Sequence, residues 1–525
     1  MMQAPFSRTL FELLDEQSRA GGVAAISGDE SLTYAQLADR ARRAASVLRA
    51  HGVGRGDRVG LLINNRTEWL EVAFGAWLLG AVATPFTTWC TRHELEYLLA
   101  DSEVTALVAL PRFGREDYAA ILRELVASGK FRSLGAVLML GDGEGFPDYA
   151  PLRDAAEPAA TPAPGEGASA VDDAIILYTS GSTSKPKAIA LAHYLVIENG
   201  FNIGERQGLG PTDKVLLSPP LFWTYGGVNA LPATFTHRAA LVLQGRFDAG
   251  EALSLIERHG CTSLYTLPGM TAAMIGHPEF RRERTRSLRV GMTIGSPQDV
   301  ISAAEVLGAA GICNVYGSSE TGGNCCVTHH DWPLERRANC QGLPLPGVEL
   351  RIVDEATGAA LGPNQPGLVE VRGPYVMRGY TASSAVHNAS VFTADGWFQS
   401  GDIGQLTQAG EMVFLGRSTE MIKRAGINVS PAEVEDILLQ HPAVAQAGVV
   451  GVPSAQGEAI IAFVVARDGA APTAQELVAH CRRLASSYKV PDRFEIVAAL
   501  PATVTGKIMR KELKAAATRL PPVGP

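Results

Sequence analysis

From Ala174 the chain reads AIILYTSGSTSKPKA, an apolar run that breaks abruptly into hydroxyls, glycine and lysines. Few features constrain a fold more. A short continuous apolar run bounded by turn residues marks a strand buried on both faces, which belongs in a parallel sheet covered by helices. The polar stretch then falls at the strand's carboxyl end, where an open α/β sheet presents its ligand. Ser180, Gly181 and Ser182 are small enough for backbone N–H groups to approach an anion closely. Hydroxyls of Thr179, Ser182 and Thr183 can donate to it, and Lys185 and Lys187 supply positive charge. A polyphosphate such as that of ATP fits this chemistry. The GxxxxGK[ST] spacing of a Walker A loop is absent, so a P-loop NTPase fold is not expected.

The rest of the chain repeats the alternation. Thr33 stands as the cap of a helical segment in which Leu37, Ala41 and Ala44 share one face. Strand-like runs follow at Val59 to Ile63, Ala81 to Pro85, Val104 to Leu110 and Leu134 to Leu140, with an apolar helical segment from Trp69 to Leu79. This predicts parallel α/β layers. The Ala-, Pro- and Gly-rich stretch from Ala155 to Ala170 reads as a loop, and the alternation resumes at Ala239 to Leu243 and Thr262 to Tyr265. Beyond Gly342, VELRIV, GLVEVRG and EMVFLG are short strands between Gly/Pro turns and predict a β-rich subdomain. From about Thr419 a separate, small α+β domain is expected, ending in the basic tail LPATVTGKIMRKEL.

A length of 525 residues demands more than one core, and a hydrophobic content of 46% can fill them. A net charge of -8 with only 19% charged residues gives no global attraction to nucleic acid or anionic lipid, so neither is an expected partner. Seven cysteines without a CxxC pair read as reduced thiols of a cytoplasmic protein. Cys325 and Cys326 lie near His329 and His330, but the spacing fits no common zinc site. The opening MMQAPFSRTLFELL carries no export pattern, and no apolar run suits a membrane span. No pattern specifies an oligomeric state.

Five motifs occur in a fixed order: YTSGSTSKPKA at Tyr178, YGSSET at Tyr316, SGD at Ser400, GRSTEMIKRAG at Gly416 and TGK at Thr505. Together, over nearly the whole chain, they resemble the adenylate-forming (ANL) superfamily in its acyl-CoA synthetase and aryl-CoA ligase branch. The resemblance implies a large acyl- and ATP-binding domain over 1–417 and a small mobile domain over 418–525. It implies phosphate contacts for Thr179, Ser180, Gly181, Ser182, Thr183, Lys187 and Thr321, a nucleotide contact for Gly295, and adenine stacking for Tyr316. Glu320 would hold Mg²⁺, Asp402 and Arg417 the ribose, and Lys507 the charge that develops during adenylation. Thr419 occupies the hinge position, where Asp or Lys is more familiar; Ser184 and Ala188 replace glycines of the pattern. Threonine is stiff at χ1, so the hinge departs in character as well as identity.

The segment PPLFWTYGGVN, Pro219 to Asn229, matches the acyl-pocket entrance of that superfamily, with Trp223 where many members have His. No acidic residue occurs there to pair an ammonium, so an amino acid substrate is disfavoured. Trp223 and Met270 are expected to supply apolar contact, and Gly227, Gly291 and Gly322 to remove side-chain volume from the walls. The expected substrate is an aromatic or bulky alicyclic carboxylic acid, with CoA as acceptor. A carrier-protein phosphopantetheine thiol is the alternative acceptor, and a nonenzymatic nucleotide-sensing module the alternative class.

Overall fold

A computed structural model of the protein describes residues 8–143, 145–162, 167–179, 186–295, 297–354, 357–417, 422–424, 427–429, 431–454, 457–467, 469–501 and 508–521. Its contacts divide the chain into two units. One comprises residues 1–88, 99–177 and 188–416, and the other 89–98, 178–187 and 417–525.

The first unit is built on two large sheets. Among the described residues, one sheet has nine strands, and its middle strands Val290–Thr293, Ser263–Tyr265, Lys214–Leu217, Ala240–Leu243 and Val23–Ser27 run parallel. Gly311–Tyr316 continues the parallel run, and short antiparallel strands close both ends. The other sheet has seven strands, of which Arg58–Leu62, Val82–Pro85, Ala106–Ala109, Ala136–Met139 and Asp173–Thr179 are parallel. The predicted strands are therefore present, shifted by one or two residues. Tyr380–Thr381 adds antiparallel to Lys187–Ala192, with Ala188 opposite Thr381 and Ile189 opposite Tyr380. A four-stranded sheet of Glu349–Val353, Gly367–Arg372, Phe398–Leu406 and Met412–Arg417 forms the expected β-rich part.

The helices pack for readable reasons. Thr33 caps the helix Tyr34–Ala50 and exchanges bonds with Gln36, while Leu37, Ala41 and Ala44 are fully buried. The helix Thr67–Leu78 is buried nearly all round, which its lack of a polar face requires. It nevertheless carries Glu71 at 0% exposure. Burial raises the carboxyl's pKa, against the opposing pull of Arg153 and Arg40. Arg153 and Arg40 bond it at 2.8 and 3.0 Å, and the Tyr149 hydroxyl donates to it at 3.3 Å.

In the second unit the long strands Val444–Ser454 and Gly457–Ala466 pair antiparallel, and Arg493–Ile496 joins the latter in parallel. Alternation sorts the side chains. Ile460, Ala462 and Val464 face a core with Val434, Leu438 and Leu477, whereas Ile461 and Phe463 face one with Leu500 and Leu513. Helices cover both faces, so the sheet needs no polar side. Within this unit the Glu94 carboxylate accepts from Lys489 at 2.7 Å and from Ser486 at 2.9 Å.

Candidate active site

The carboxyl end of the strand Gly311–Tyr316 turns at once into a single helical turn, Ser319–Thr321, capped reciprocally by Ser318 and Thr321. Gly322 and Gly323 follow with φ of 68° and 91°, a left-handed path that glycine adopts without a Cβ penalty. Two fully buried amides from different elements, Asn199 and Asn229, both donate to the Gly322 carbonyl, at 2.6 and 2.9 Å. The turn is thus held from outside as well as from within.

Three candidate groups meet around this turn. Tyr316 is buried, and its ring stacks on Phe414 with centroids 5.9 Å apart. Its hydroxyl donates to Asp402, which is also buried, at 2.9 Å. Burial first, and then the Asp402 charge, hold that phenol well above its ordinary range, so it remains a donor at any working pH. Glu320 is half-buried. Its backbone carbonyl accepts from Met377 N–H at 2.7 Å and its carboxylate from the Tyr380 hydroxyl at 2.9 Å.

Ser319, part of the YGSSET motif but given no role there, lies 2.5 Å hydroxyl to hydroxyl from Thr224. Thr224 opens the π-helix Thr224–Ala230 that follows Trp223. An aromatic residue followed by a wide helical turn was not readable from local propensity. Trp223 and Met270 are both partly buried and pack at the margin of the main core.

Thr321 and the glycines of the expected pocket are held by protein contacts. The Thr321 hydroxyl accepts from Ser318 N–H at 2.9 Å and donates to the Ser318 carbonyl at 3.1 Å. It caps its own turn. The glycines of the expected pocket are closely packed against protein. A Cβ on Gly227 would meet the Leu221 carbonyl, one on Gly291 the Leu264 carbonyl, and one on Gly322 the Asn199 amide and the Tyr375 carbonyl. These glycines admit close backbone packing and leave no void where a side chain would be. Gly295 is similar, its missing Cβ facing Asp299.

Thr179 ends the strand Asp173–Thr179, and its hydroxyl is buried with no hydrogen-bond partner among the described residues. A phosphate oxygen would satisfy it. Lys187 opens the strand Lys187–Ala192 and is buried. Arg417 closes the strand Met412–Arg417. Ser180, Gly181, Ser182, Thr183, Thr419 and Lys507 lie outside the described residues. Among the described residues no cluster of three His, Cys, Asp or Glu side chains can hold a metal. A lone carboxylate such as Glu320 instead suits a cation that takes its remaining ligands from phosphate and water, as Mg²⁺ does.

The model of AMP-binding enzymes matches residues 15–381, and that of the AMP-binding enzyme C-terminal domain matches 433–507. The chain belongs to the AMP-binding enzyme family. A feruloyl-CoA synthase from Amycolatopsis sp is 32% identical, over 93% of this chain and 94% of the relative. A sulfoacetate–CoA ligase from Cupriavidus necator is 30% identical, over 92% of both. The anthranilate CoA ligase AuaEII, solved in complex with anthranoyl-AMP, superposes with a TM-score of 0.73 at 26% identity, over 99% of this chain and 100% of that one. This AMP-binding enzyme is an AMP-forming acyl-CoA synthetase, for which ATP, a carboxylic acid and CoA are the reactants. Among the described residues no helix is long and apolar enough to cross a membrane.

Proposed function

We propose that the enzyme activates an aromatic or bulky alicyclic carboxylic acid as its acyl-adenylate and passes the acyl group to CoA. A carboxylate oxygen bonds to the α-phosphorus while the bond to the β-phosphate breaks and pyrophosphate leaves. The CoA thiol then adds to the acyl carbonyl, gives up its proton, and AMP departs. Tyr316 offers its ring to adenine, and Asp402 with Arg417 holds the ribose hydroxyls. The segment Thr179–Thr183 and Lys187 receive the phosphates. Glu320 would bind Mg²⁺, which when present neutralises charge building on the phosphates. Lys507 supplies a cation at the reacting carboxylate and α-phosphate. Thr419 is the hinge between domains 1–417 and 418–525, and the enzyme works in the cytoplasm, where its seven buried cysteines stay reduced.

The observation that carries the nucleotide assignment is the Tyr316–Asp402 bond, a buried aromatic and a carboxylate brought together from distant strands beside Glu320. The acid class rests on other features. Trp223 and Met270 give apolar surface, and Pro219 to Asn229 contains neither an acid to pair an ammonium nor a base to pair a second anion. That argues against a small dianion of the sulfoacetate kind and favours acids like those named for the feruloyl and anthranilate relatives.

The test is acid-dependent pyrophosphate release with Mg-ATP over aromatic, alicyclic, fatty, amino and sulfonated acids, with product mass followed with and without CoA. A CoA thioester of an aromatic or alicyclic acid is expected. An acyl-adenylate that goes forward only with a carrier protein would replace CoA as acceptor, and selective turnover of sulfoacetate would overturn the acid class.

A further inference from the structure

Glu320 is gripped twice by one short segment. Met377 N–H holds its carbonyl at 2.7 Å, and the Tyr380 hydroxyl donates to one carboxylate oxygen at 2.9 Å. Tyr380 is itself immobilised. Only 5% exposed, it sits in the strand Tyr380–Thr381, where Ile189 is its partner across the ladder. Its N–H donates to Asn388 Oδ1 at 2.6 Å, and Asn388 Nδ2 returns a bond to its carbonyl at 3.0 Å. A half-buried carboxylate on a short turn can rotate about its side-chain torsions. A buried phenol fixed at both backbone groups and bonded to one of its oxygens removes that freedom and leaves the second oxygen to face outward.

We infer that Tyr380 is a positioning residue, which aims the Glu320 carboxylate at the phosphate-bound Mg²⁺. The inference rests on the proposed role of Glu320 and adds a second residue, 60 positions away in sequence, through which metal affinity is set. A buried phenol could equally be bonded to Glu320 only to satisfy its own hydroxyl. The two readings part over Mg²⁺: a merely satisfied hydroxyl would affect stability and not the metal dependence of nucleotide binding.

The experiment is calorimetric binding of a non-hydrolysable ATP analogue to the full-length enzyme over a Mg²⁺ series, with AMP binding in EDTA as control, for Tyr380→Phe, Glu320→Gln and the double variant. Tyr380→Phe is expected to raise the half-saturating Mg²⁺ concentration by about tenfold, the loss of one charge-assisted bond, while AMP affinity and melting temperature hold. Glu320→Gln is expected to raise it further, and adding Tyr380→Phe to that background to change nothing. Asn388→Ala, which loosens Tyr380 from outside the site, should give a smaller shift in the same direction. A normal Mg²⁺ dependence in Tyr380→Phe beside a shifted Glu320→Gln overturns the inference alone. An unshifted Glu320→Gln overturns it together with the role of Glu320, and multiplying effects in the double variant show that Tyr380 acts by another route.

Discussion

The Tyr316 hydroxyl donates to the Asp402 carboxylate at 2.9 Å, joining the residue proposed to stack on adenine to the one proposed to hold ribose. In those proposed roles, base and sugar recognition would be coupled. Tyr316→Phe keeps the ring but removes one hydrogen bond from Asp402, and should weaken binding of an ATP analogue about tenfold, the worth of one hydrogen bond to a charged acceptor. Asp402→Ala should weaken it about a hundredfold, since the proposed ribose contacts go as well. Calorimetry on both variants checks the order; equal losses would show that Asp402 does no more than anchor the tyrosine.

Asn199 and Asn229 converge on the Gly322 carbonyl. Either alone still satisfies that buried acceptor, so each Asn→Ala variant should cost about 1 kcal/mol of unfolding free energy, and the double variant clearly more than the sum. The same double variant should raise the KM for ATP, because the turn carrying Glu320 loses its external hold. Urea unfolding and initial rates on the four proteins of the cycle measure both effects; strict additivity would show that the two amides do not share the carbonyl.

Glu71 is fully buried between Arg153 and Arg40. Removing one member of a buried ion pair leaves the other charge uncompensated, which costs more than the pair gains by existing. Glu71→Ala should therefore destabilise the protein by about 3–5 kcal/mol, and Glu71→Gln by less, because an amide oxygen still accepts from arginine. Denaturant midpoints distinguish the two, and a neutral Glu71→Ala would mean that water enters freely to solvate Arg153.

The sequence disclosed what is local and hid what is long-range. Thr33 announced a helix start because a cap acts within a few residues, and the apolar runs announced parallel strands because burial on both faces leaves no polar alternation. The Tyr380–Glu320 and Tyr316–Asp402 bonds span 60 and 86 residues, and no local pattern encodes such a pairing. The glycines are ambiguous for a related reason. A glycine records that a side chain is unwanted, not whether a ligand or a neighbouring carbonyl excludes it, and at Gly227, Gly291 and Gly322 the neighbour is protein. Thr321 likewise matches a motif position, and its hydroxyl caps its own turn, a bond the motif alone does not reveal.

In the role proposed for it, Lys507 would separate the two half-reactions. A cation needed where negative charge builds at the reacting carboxylate and α-phosphate is not needed once the mixed anhydride exists. Lys507→Ala should lower acid-dependent pyrophosphate release by about a hundredfold or more, on the scale of one lost electrostatic contact in a transition state. Thioester formation from chemically made acyl-adenylate and CoA should stay within about threefold of wild type, as expected of an interaction made only in the first transition state. Equal loss in both assays would place Lys507 in nucleotide binding.

His193 gives the fold an acid-sensitive point away from the chemistry. It begins the helix His193–Gln207, is fully buried, and accepts the Leu10 N–H through Nδ1 at 3.1 Å. Burial pushes its pKa down from 6.5 to about 3, against a weak opposing pull from Asp172. Because the folded value lies below the unfolded one, the unfolded chain takes up the proton first as pH falls. The stability contributed by the neutral ring is whole above about pH 6.5 and is lost progressively from there toward pH 3. Between pH 7.5 and 5.5 this single group should account for about 1 kcal/mol of lost stability. His193→Asn retains an acceptor for Leu10 N–H but cannot titrate. It should be less stable at pH 7.5 for want of packing, yet lose about 1 kcal/mol less than wild type on going to pH 5.5. Urea unfolding at the two pH values reads this difference directly, and other titrating groups cancel because they are common to both proteins. Parallel losses in the two proteins would mean that the ring is protonated in the folded state, which the bond from Leu10 N–H to Nδ1 does not allow.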